Sequence, residues 1–315
     1  MYAIETQNIV KKFGTTTALD GLNLQVNPGE IFGIVGPDGA GKTTLMRILT
    51  GILSPDSGKA YVESLETAKQ AEKIKEMIGY MSQRFGLYPY LSVYENIQFY
   101  ADIYCVPKKE FNARLDDLLG FSNLTPFKRR LAGNLSGGMK QKLGLTCTLI
   151  HTPKVLFLDE PTNGVDPVSR RDFWRILYKL VAEKVTIFVS TAYLDEAERC
   201  NRVGLLNQGK IIAVDTPANV KKLIKGEIIE IISDDPRRTT NVLKEKYLNN
   251  SVGLFGDKVH LITEDVETVK AAIREHLWNN DIKVKNIETV KPTLEDVFVS
   301  VLGDKRHESE VTHEQ

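Results

Sequence analysis

The apolar run Ile31-Phe32-Gly33-Ile34-Val35 leads straight into Gly36-Pro37-Asp38-Gly39-Ala40-Gly41-Lys42-Thr43-Thr44, and then into Leu45-Met46-Arg47-Ile48-Leu49. A strand-length apolar run, a glycine-rich turn and a helix in that order make a G-x-x-x-x-G-K-[ST] phosphate-binding unit. The residue types follow from the chemistry. Glycines let the backbone curl so that its N–H groups converge on phosphate oxygens, and the helix N-terminus adds favourable partial charge. In such a unit Lys42 brings a point charge to the outer phosphates and Thr43 offers a hydroxyl to Mg²⁺. Without the flanking strand and helix, the run would read as a plain glycine-rich turn.

A second acidic element suits the same site. Val155-Leu156-Phe157-Leu158 precedes Asp159-Glu160, so a buried strand carries two adjacent carboxylates at its C-terminal end, where ligands of open α/β sheets bind. Asp159 suits the Mg²⁺ shell, and Glu160 suits a base that polarises an attacking water. An apolar strand ending in Asp-Glu is common by itself; the Lys42 loop upstream gives the pair its meaning. A further strand over 185–189 and a helical stretch over 170–183 predict a parallel sheet covered by helices. Alternating apolar positions (Ile4, Ile9, Leu22, Leu24, Val26) predict an antiparallel β subdomain ahead of the loop. Over about 84–145 the apolar spacing becomes three and four (Val93, Ile97, Tyr100, Ala101, Tyr104), which predicts a helical subdomain.

Composition narrows the function classes. The 315 residues hold 41 basic and 41 acidic side chains, so net charge gives no reason to expect a nucleic-acid partner. Cys105, Cys147 and Cys200 are scattered without a C-x-x-C pair, which argues against a disulfide framework or zinc cluster and fits a reducing compartment. No basic-then-apolar leader follows Met1, and no apolar run reaches the roughly 18–20 residues of a membrane helix. The expectation is synthesis in the cytosol, with any membrane role arising through a partner.

Composition changes after about Lys225. A strand over 227–233, a helix from Asp235-Pro236 to Tyr247, two strands flanking Gly256-Asp257, a helix over 266–279 and a strand over 284–290 follow in turn. That β-α-β-β-α-β order predicts a small ferredoxin-like α+β domain. The expected division is 1–225, 226–303 and a polar, disordered tail over 304–315.

Between the two chemical elements lies Leu135-Ser136-Gly137-Gly138-Met139-Lys140-Gln141. Taken alone it reads as a helix N-cap (Ser136) followed by glycines. With Leu-Ser-Gly-Gly opening a helix just upstream of the Asp-Glu strand, the chain resembles the ABC ATPase family of P-loop NTPases over about residues 1–225. The resemblance implies that Ser136, Gly137 and Gly138 meet the γ-phosphate held by a partner chain's Lys42 loop. It implies that Phe13 stacks on adenine, that Gln83 reaches Mg²⁺ alongside Thr43 and Asp159, and that Gly36 to Thr44 cradle the phosphates. Asp166, in Asn163-Gly164-Val165-Asp166-Pro167, matches the loop that crosses the dimer interface, and it also reads as a helix N-cap. Met139 stands where the family usually has Gln.

One departure bears on catalysis. The family places a histidine in Ser-Thr-His, where its imidazole contacts the γ-phosphate; this chain has Ser190-Thr191-Ala192. A methyl group cannot donate a hydrogen bond to phosphate. The expectation is an ATPase, with Glu160, Lys42 and Gln83 as its catalytic residues, whose turnover is reduced.

The segment Lys291-Pro292-Thr293-Leu294-Glu295-Asp296-Val297-Phe298 resembles one common in subunits of ABC-2 type exporters, which implies export of a substrate. The implied partners are transmembrane permease subunits and a second ABC ATPase, the same chain or another, on the cytoplasmic face of the plasma membrane; nucleic acid is not among them. Leu87-Tyr88-Pro89-Tyr90-Leu91 lies where the family docks its permease, and equally reads as core of the helical subdomain. Rival readings are a degenerate ATP-binding partner that regulates a second, active ATPase, a soluble non-transport ABC protein, and an importer ATPase.

Overall fold

The computed structural model describes residues 1–83, 86–247 and 251–300; the expected tail over 304–315 lies outside them. Two compact units are present, Met1–Val214 and the chain from Asp215 onward.

In the first unit the strands are β1 (Ile4–Phe13), β2 (Thr16–Val26), β3 (Ile31–Val35), β4 (Ser57–Val62), β5 (Leu65–Glu66), β6 (Ile78–Met81), β7 (Val155–Asp159), β8 (Thr186–Thr191), β9 (Arg202–Asn207) and β10 (Lys210–Asp215). The helices are α1 (Lys42–Leu49), α2 (Ala71–Met77), α3 (Val93–Ile103), α4 (Lys108–Phe121), α5 (Gly137–Leu149), α6 (Pro167–Ala182) and α7 (Leu194–Ala197). One sheet has the order β2-β1-β4-β5 and the other β10-β9-β3-β8-β7-β6. The first is antiparallel, as the alternation predicts: Ile4 faces Val26 and Ile9 faces Leu22.

In the second sheet β3, β6, β7, β8 and β9 pair in parallel. Parallel strands are covered on both faces, which is why β3 and β7 are apolar runs buried throughout. Phe32, Phe157 and Phe188 carry this core, with ring centroids 5.6 Å (Phe32–Phe188) and 5.8 Å (Phe157–Phe188) apart. Burying each such ring stabilises the fold by roughly 1.5–3 kcal/mol. This core holds the C-terminal ends of β3, β7 and β8 side by side, and the candidate site is built on those ends.

The helical segment has its own core, with Val93, Ile97 and Ala101 of α3 against Phe111, Leu115 and Leu119 of α4 and Leu143 and Cys147 of α5. Its spacings are the helical period read from the sequence. Ser92 and Glu95 form a capping box at the start of α3. The buried Asn96 amide donates to the carbonyls of Tyr88, Leu91 and Ser92, which fastens the Tyr-Pro-Tyr turn to this subdomain. Tyr90 projects outward, 89% exposed. Helix α6 begins at Pro167 rather than at residue 170, because Asp166 Oδ1 accepts from Ser169 N–H at 2.9 Å and proline suits the first helical position.

In the second unit, α8 (Pro217–Lys221) precedes β11 (Glu227–Ser233), α9 (Pro236–Lys246), β12 (Val252–Phe255), β13 (Lys258–Thr263), α10 (Val266–Asn279) and β14 (Val284–Val290). The sheet order is β12-β13-β11-β14 with antiparallel pairs throughout. That is the strand order of the ferredoxin-like fold. Ile229 and Ile231 face the helix-covered core with Leu243, Val259, Leu261, Ile273 and Leu277. Among the described residues no helix is long and apolar enough to cross a membrane.

Candidate functional site

The loop from Gly36 to Gly41 leaves β3 and ends at α1, and its neighbours fix its path. Gly209 N–H donates to Ala40 O at 3.0 Å, tying it to the turn between β9 and β10. Gly41 sits at φ 110°, and a Cβ there would lie 2.5 Å from Ala18 O; glycine is required both for that backbone and for that approach. Lys42 is nearly buried, and its ammonium donates to the carbonyls of Gly36 (2.7 Å) and Pro37 (3.1 Å). Asp38 to Thr44, with Ala18, Gln83 and Glu160, line a polar cavity of about 350 Å³.

Glu160 enters this cavity from the end of β7. Its Oε1 stands 3.5 Å from Lys42 Nζ. Its Oε2 accepts from Gln83 Nε2 at 2.9 Å and from Asn163 Nδ2 at 3.3 Å. The three candidate catalytic residues, Lys42, Gln83 and Glu160, therefore meet in one place. The Glu160 backbone adopts φ 49°, an uncommon conformation for a residue with a Cβ and one that turns its carboxylate toward the loop at a cost of roughly 1–3 kcal/mol. Its N–H is held by Ser190 O (3.2 Å) and Ser190 Oγ (3.0 Å) on β8.

Asp159 is almost wholly buried. Oδ1 accepts from Ser190 Oγ at 2.6 Å, whereas Oδ2 is buried with no hydrogen-bond partner among the described residues. A buried carboxylate oxygen left unpaired is costly unless a cation or donor meets it. No group of three or more acidic, histidine or cysteine side chains suited to a metal occurs among the described residues. One carboxylate with the Thr43 hydroxyl and the Gln83 amide fits Mg²⁺, which takes few protein ligands beside phosphate oxygens.

Next to this cavity lies a second, of about 250 Å³, lined by Asp38, Gln83, Glu160, Thr162, Asn163, Thr191, Ala192 and Tyr193. Ala192 places only a methyl on that wall. The adjoining Tyr193 hydroxyl lies 3.3 Å from Asn163 Oδ1. Buried Glu196 fixes the surrounding segment, accepting from the hydroxyls of Thr162 and Thr191.

Other sequence-predicted residues lie off the cavity wall. Ser136 caps α5 by accepting from Met139 N–H at 3.3 Å. Gly138 packs so tightly that a Cβ would come 2.4 Å from Ser169, which sets Ser136, Gly137 and Gly138 beside the start of α6. Asp166 caps α6, and the Ser169 N–H holds its carboxyl below the ordinary range. Phe13, half exposed at the end of β1, has the Lys11 ammonium 5.6 Å from its ring centroid.

Ser190 and Asn163 contact the Asp159 and Glu160 carboxylates directly and Tyr193 reaches them through Asn163; none of the three carries a role in the local sequence pattern. A polar residue inside the apolar β8 run was the available sign for Ser190; the other two depend on a meeting of loops across the sheet.

The ABC transporter family profile matches residues 19–163. A second, for the C-terminal domain of DrrA1-3-like ATP-binding proteins, matches residues 216–302. The chain is 42% identical over 287 residues to the probable multidrug ABC transporter ATP-binding protein YbhF of Escherichia coli (strain K12), covering 90% of this chain and 48% of YbhF. It thus spans about half the length of that relative. It is 33% identical over 314 residues to the daunorubicin resistance ATP-binding protein DrrA2 of Streptomyces coeruleorubidus, covering 98% of each. Among solved structures, the dimeric post-hydrolysis ATP-binding cassette MJ0796 bound to ADP and Pi is 26% identical, with a TM-score of 0.62, covering 68% of this chain and 98% of that one.

Proposed function

We propose, because the chain belongs to the family of ABC transporter ATP-binding proteins, that it binds Mg·ATP and hydrolyses it to power export through an ABC-2 type membrane permease. The observation that carries this reading is the meeting of Lys42, Gln83 and Glu160 in the cavity of the glycine loop. Phosphate oxygens offer the Lys42 ammonium stronger acceptors than the two carbonyls it now holds. The loop N–H groups and the start of α1 stabilise the same charge. Glu160, aimed by Gln83 and Asn163, accepts a proton from water lined up on the γ-phosphorus. Mg²⁺ would be held by Thr43, Gln83 and Asp159, and when bound it neutralises charge on the phosphate oxygens. The unpaired Asp159 Oδ2 supports that assignment.

Ser136, Gly137, Gly138 and Asp166 stand off the cavity wall of their own chain, which supports a site completed by a second ABC ATPase, this chain or another. Phe13 is exposed enough to stack on adenine. The likeness to a daunorubicin resistance protein over nearly the whole chain supports export, as do the ferredoxin-like unit and its Pro292–Phe298 segment. On this reading the chain sits at the cytoplasmic face of the membrane, docked on its permease near Tyr88 and Tyr90. The polar partners of Glu160 favour turnover over a regulatory, non-hydrolysing role, and Ala192 reduces that turnover. Co-purification with a multi-span membrane protein, with ATPase activity stimulated in the complex, is the expected result; a chain that captures no permease and shows no phosphate release refutes the proposal.

A further inference from the structure

We infer that Tyr193 and Asn163 form a positioning pair that fixes the Glu160 carboxylate for attack, an inference that rests on the hydrolytic reading above. The polarity of the contacts is the first argument. Glu160 Oε2 accepts from the Asn163 amide nitrogen at 3.3 Å, as it does from the Gln83 amide. The Asn163 oxygen then faces the Tyr193 hydroxyl at 3.3 Å, and the phenol must donate. A side-chain amide has two orientations of nearly equal shape. Only one donates to Glu160; the other sets two oxygens against each other. The Glu160 carboxylate selects the productive one, and the Tyr193 hydroxyl, which can donate or accept, holds the far side of that amide by donating to its oxygen.

Tyr193 is itself anchored from two sides. The Arg170 guanidinium lies 4.5 Å from the ring centroid. Arg170 is in turn held by ion pairs to Asp195 (3.6 Å) and to the fully buried Glu196 (3.4 Å). The Tyr193 N–H donates to Thr191 Oγ1 at 2.9 Å, and that hydroxyl donates to Glu196 Oε2 at 3.0 Å. Ring and backbone are thus fixed to one buried carboxylate.

Location supplies the third argument. Tyr193 and Asn163 share one cavity wall with Ala192 and Glu160, where the side chain at 192 is a methyl without a polar atom. The pair acts on the water-activating carboxylate rather than on phosphate, so its removal slows chemistry without weakening nucleotide binding.

Tyr193→Phe keeps the ring and its cation contact and deletes only the hydroxyl. In steady-state phosphate release by the full chain, kcat is expected to fall about five- to tenfold while KM for ATP stays within about twofold. Asn163→Ala is expected to lose a comparable factor, and the double variant no more than the worse single one, because the two residues act as a unit. A Tyr193→Phe chain with parental kcat, a double variant showing the product of the single losses, or a loss that tracks a fall in melting temperature overturns the pair. A parent chain that binds Mg·ATP and releases no phosphate overturns the hydrolytic reading, and this inference with it. A hydrolysing parent indifferent to Tyr193→Phe overturns this inference alone.

Discussion

Ser190 Oγ donates to Asp159 Oδ1 at 2.6 Å, and the two residues stand opposite each other in the parallel register of β7 and β8. The same hydroxyl accepts from the Glu160 N–H, so one side chain on β8 orients both acidic residues. Ser190→Ala removes that shared support. Because groups behind a metal ligand are commonly worth about 10–100-fold in metal affinity, the Mg²⁺ concentration for half-maximal activity is expected to rise about tenfold. A magnesium titration of phosphate release checks it.

Restoring an imidazole is expected to speed hydrolysis. Ala192 lies on the wall of the cavity that also holds Glu160. A charge-assisted hydrogen bond of about 1.5–3 kcal/mol, realised in the transition state, corresponds to roughly tenfold or more in rate. Ala192→His is therefore expected to raise phosphate release by about that factor; no gain contradicts the reading of Ala192.

How far each of these sites was legible depends on chain distance. The glycine loop, the Asp159-Glu160 pair and the Ser136 cap are local patterns, and strand, turn and helix chemistry sufficed to find them. The ferredoxin-like order followed from strand and helix periods that the sequence carries openly. The Ser190 contact, by contrast, exists because β8 lies beside β7, an adjacency that no local pattern contains. The left-handed backbone of Glu160 is imposed from outside against its own preference. The Arg170–Tyr193–Asn163 chain joins three segments at loop ends, where sequence pattern is weakest.

The C-terminal unit should show a stability maximum in mild acid. His260 bridges Asp296 (2.7 Å) and Glu230 (3.2 Å), with Lys258 also on Glu230. Burial alone would push the His260 pKa down, but the bonds and charges of Asp296 and Glu230 outweigh it and hold it above the ordinary 6.5. A raised histidine contributes stability below its unfolded pKa and loses it as pH climbs through the folded one. Burial opposes, yet Lys258 and His260 hold Glu230 below 4.5, while His260 and Thr293 hold Asp296 below 3.8. Those two contribute above their unfolded values and fail as pH falls through the folded ones. Melting of the full chain is expected to show this unit most stable between pH 4.5 and 6.5, declining above. His260→Gln should flatten the alkaline decline, and Asp296→Ala should cost about 3–5 kcal/mol, the usual penalty for breaking a buried pair.

Gly138→Ala tests the packing of the signature segment. The new Cβ would lie 2.4 Å from the Ser169 side chain, so α5 and α6 must separate. Overpacking of this kind costs roughly 1–3 kcal/mol. A lowered midpoint in chemical denaturation is expected, and an unchanged one contradicts the geometry.

The central claim is that this chain hydrolyses ATP with Glu160, seated between Lys42, Gln83 and Asn163, as the group that activates water. Glu160→Gln keeps the shape and removes the base. Phosphate release at saturating Mg·ATP, measured with nucleotide affinity on the same preparation, is predicted to drop by about 100-fold or more while ATP binding is retained. A variant that hydrolyses at the parental rate, or one that loses ATP binding in step with activity, would contradict the account.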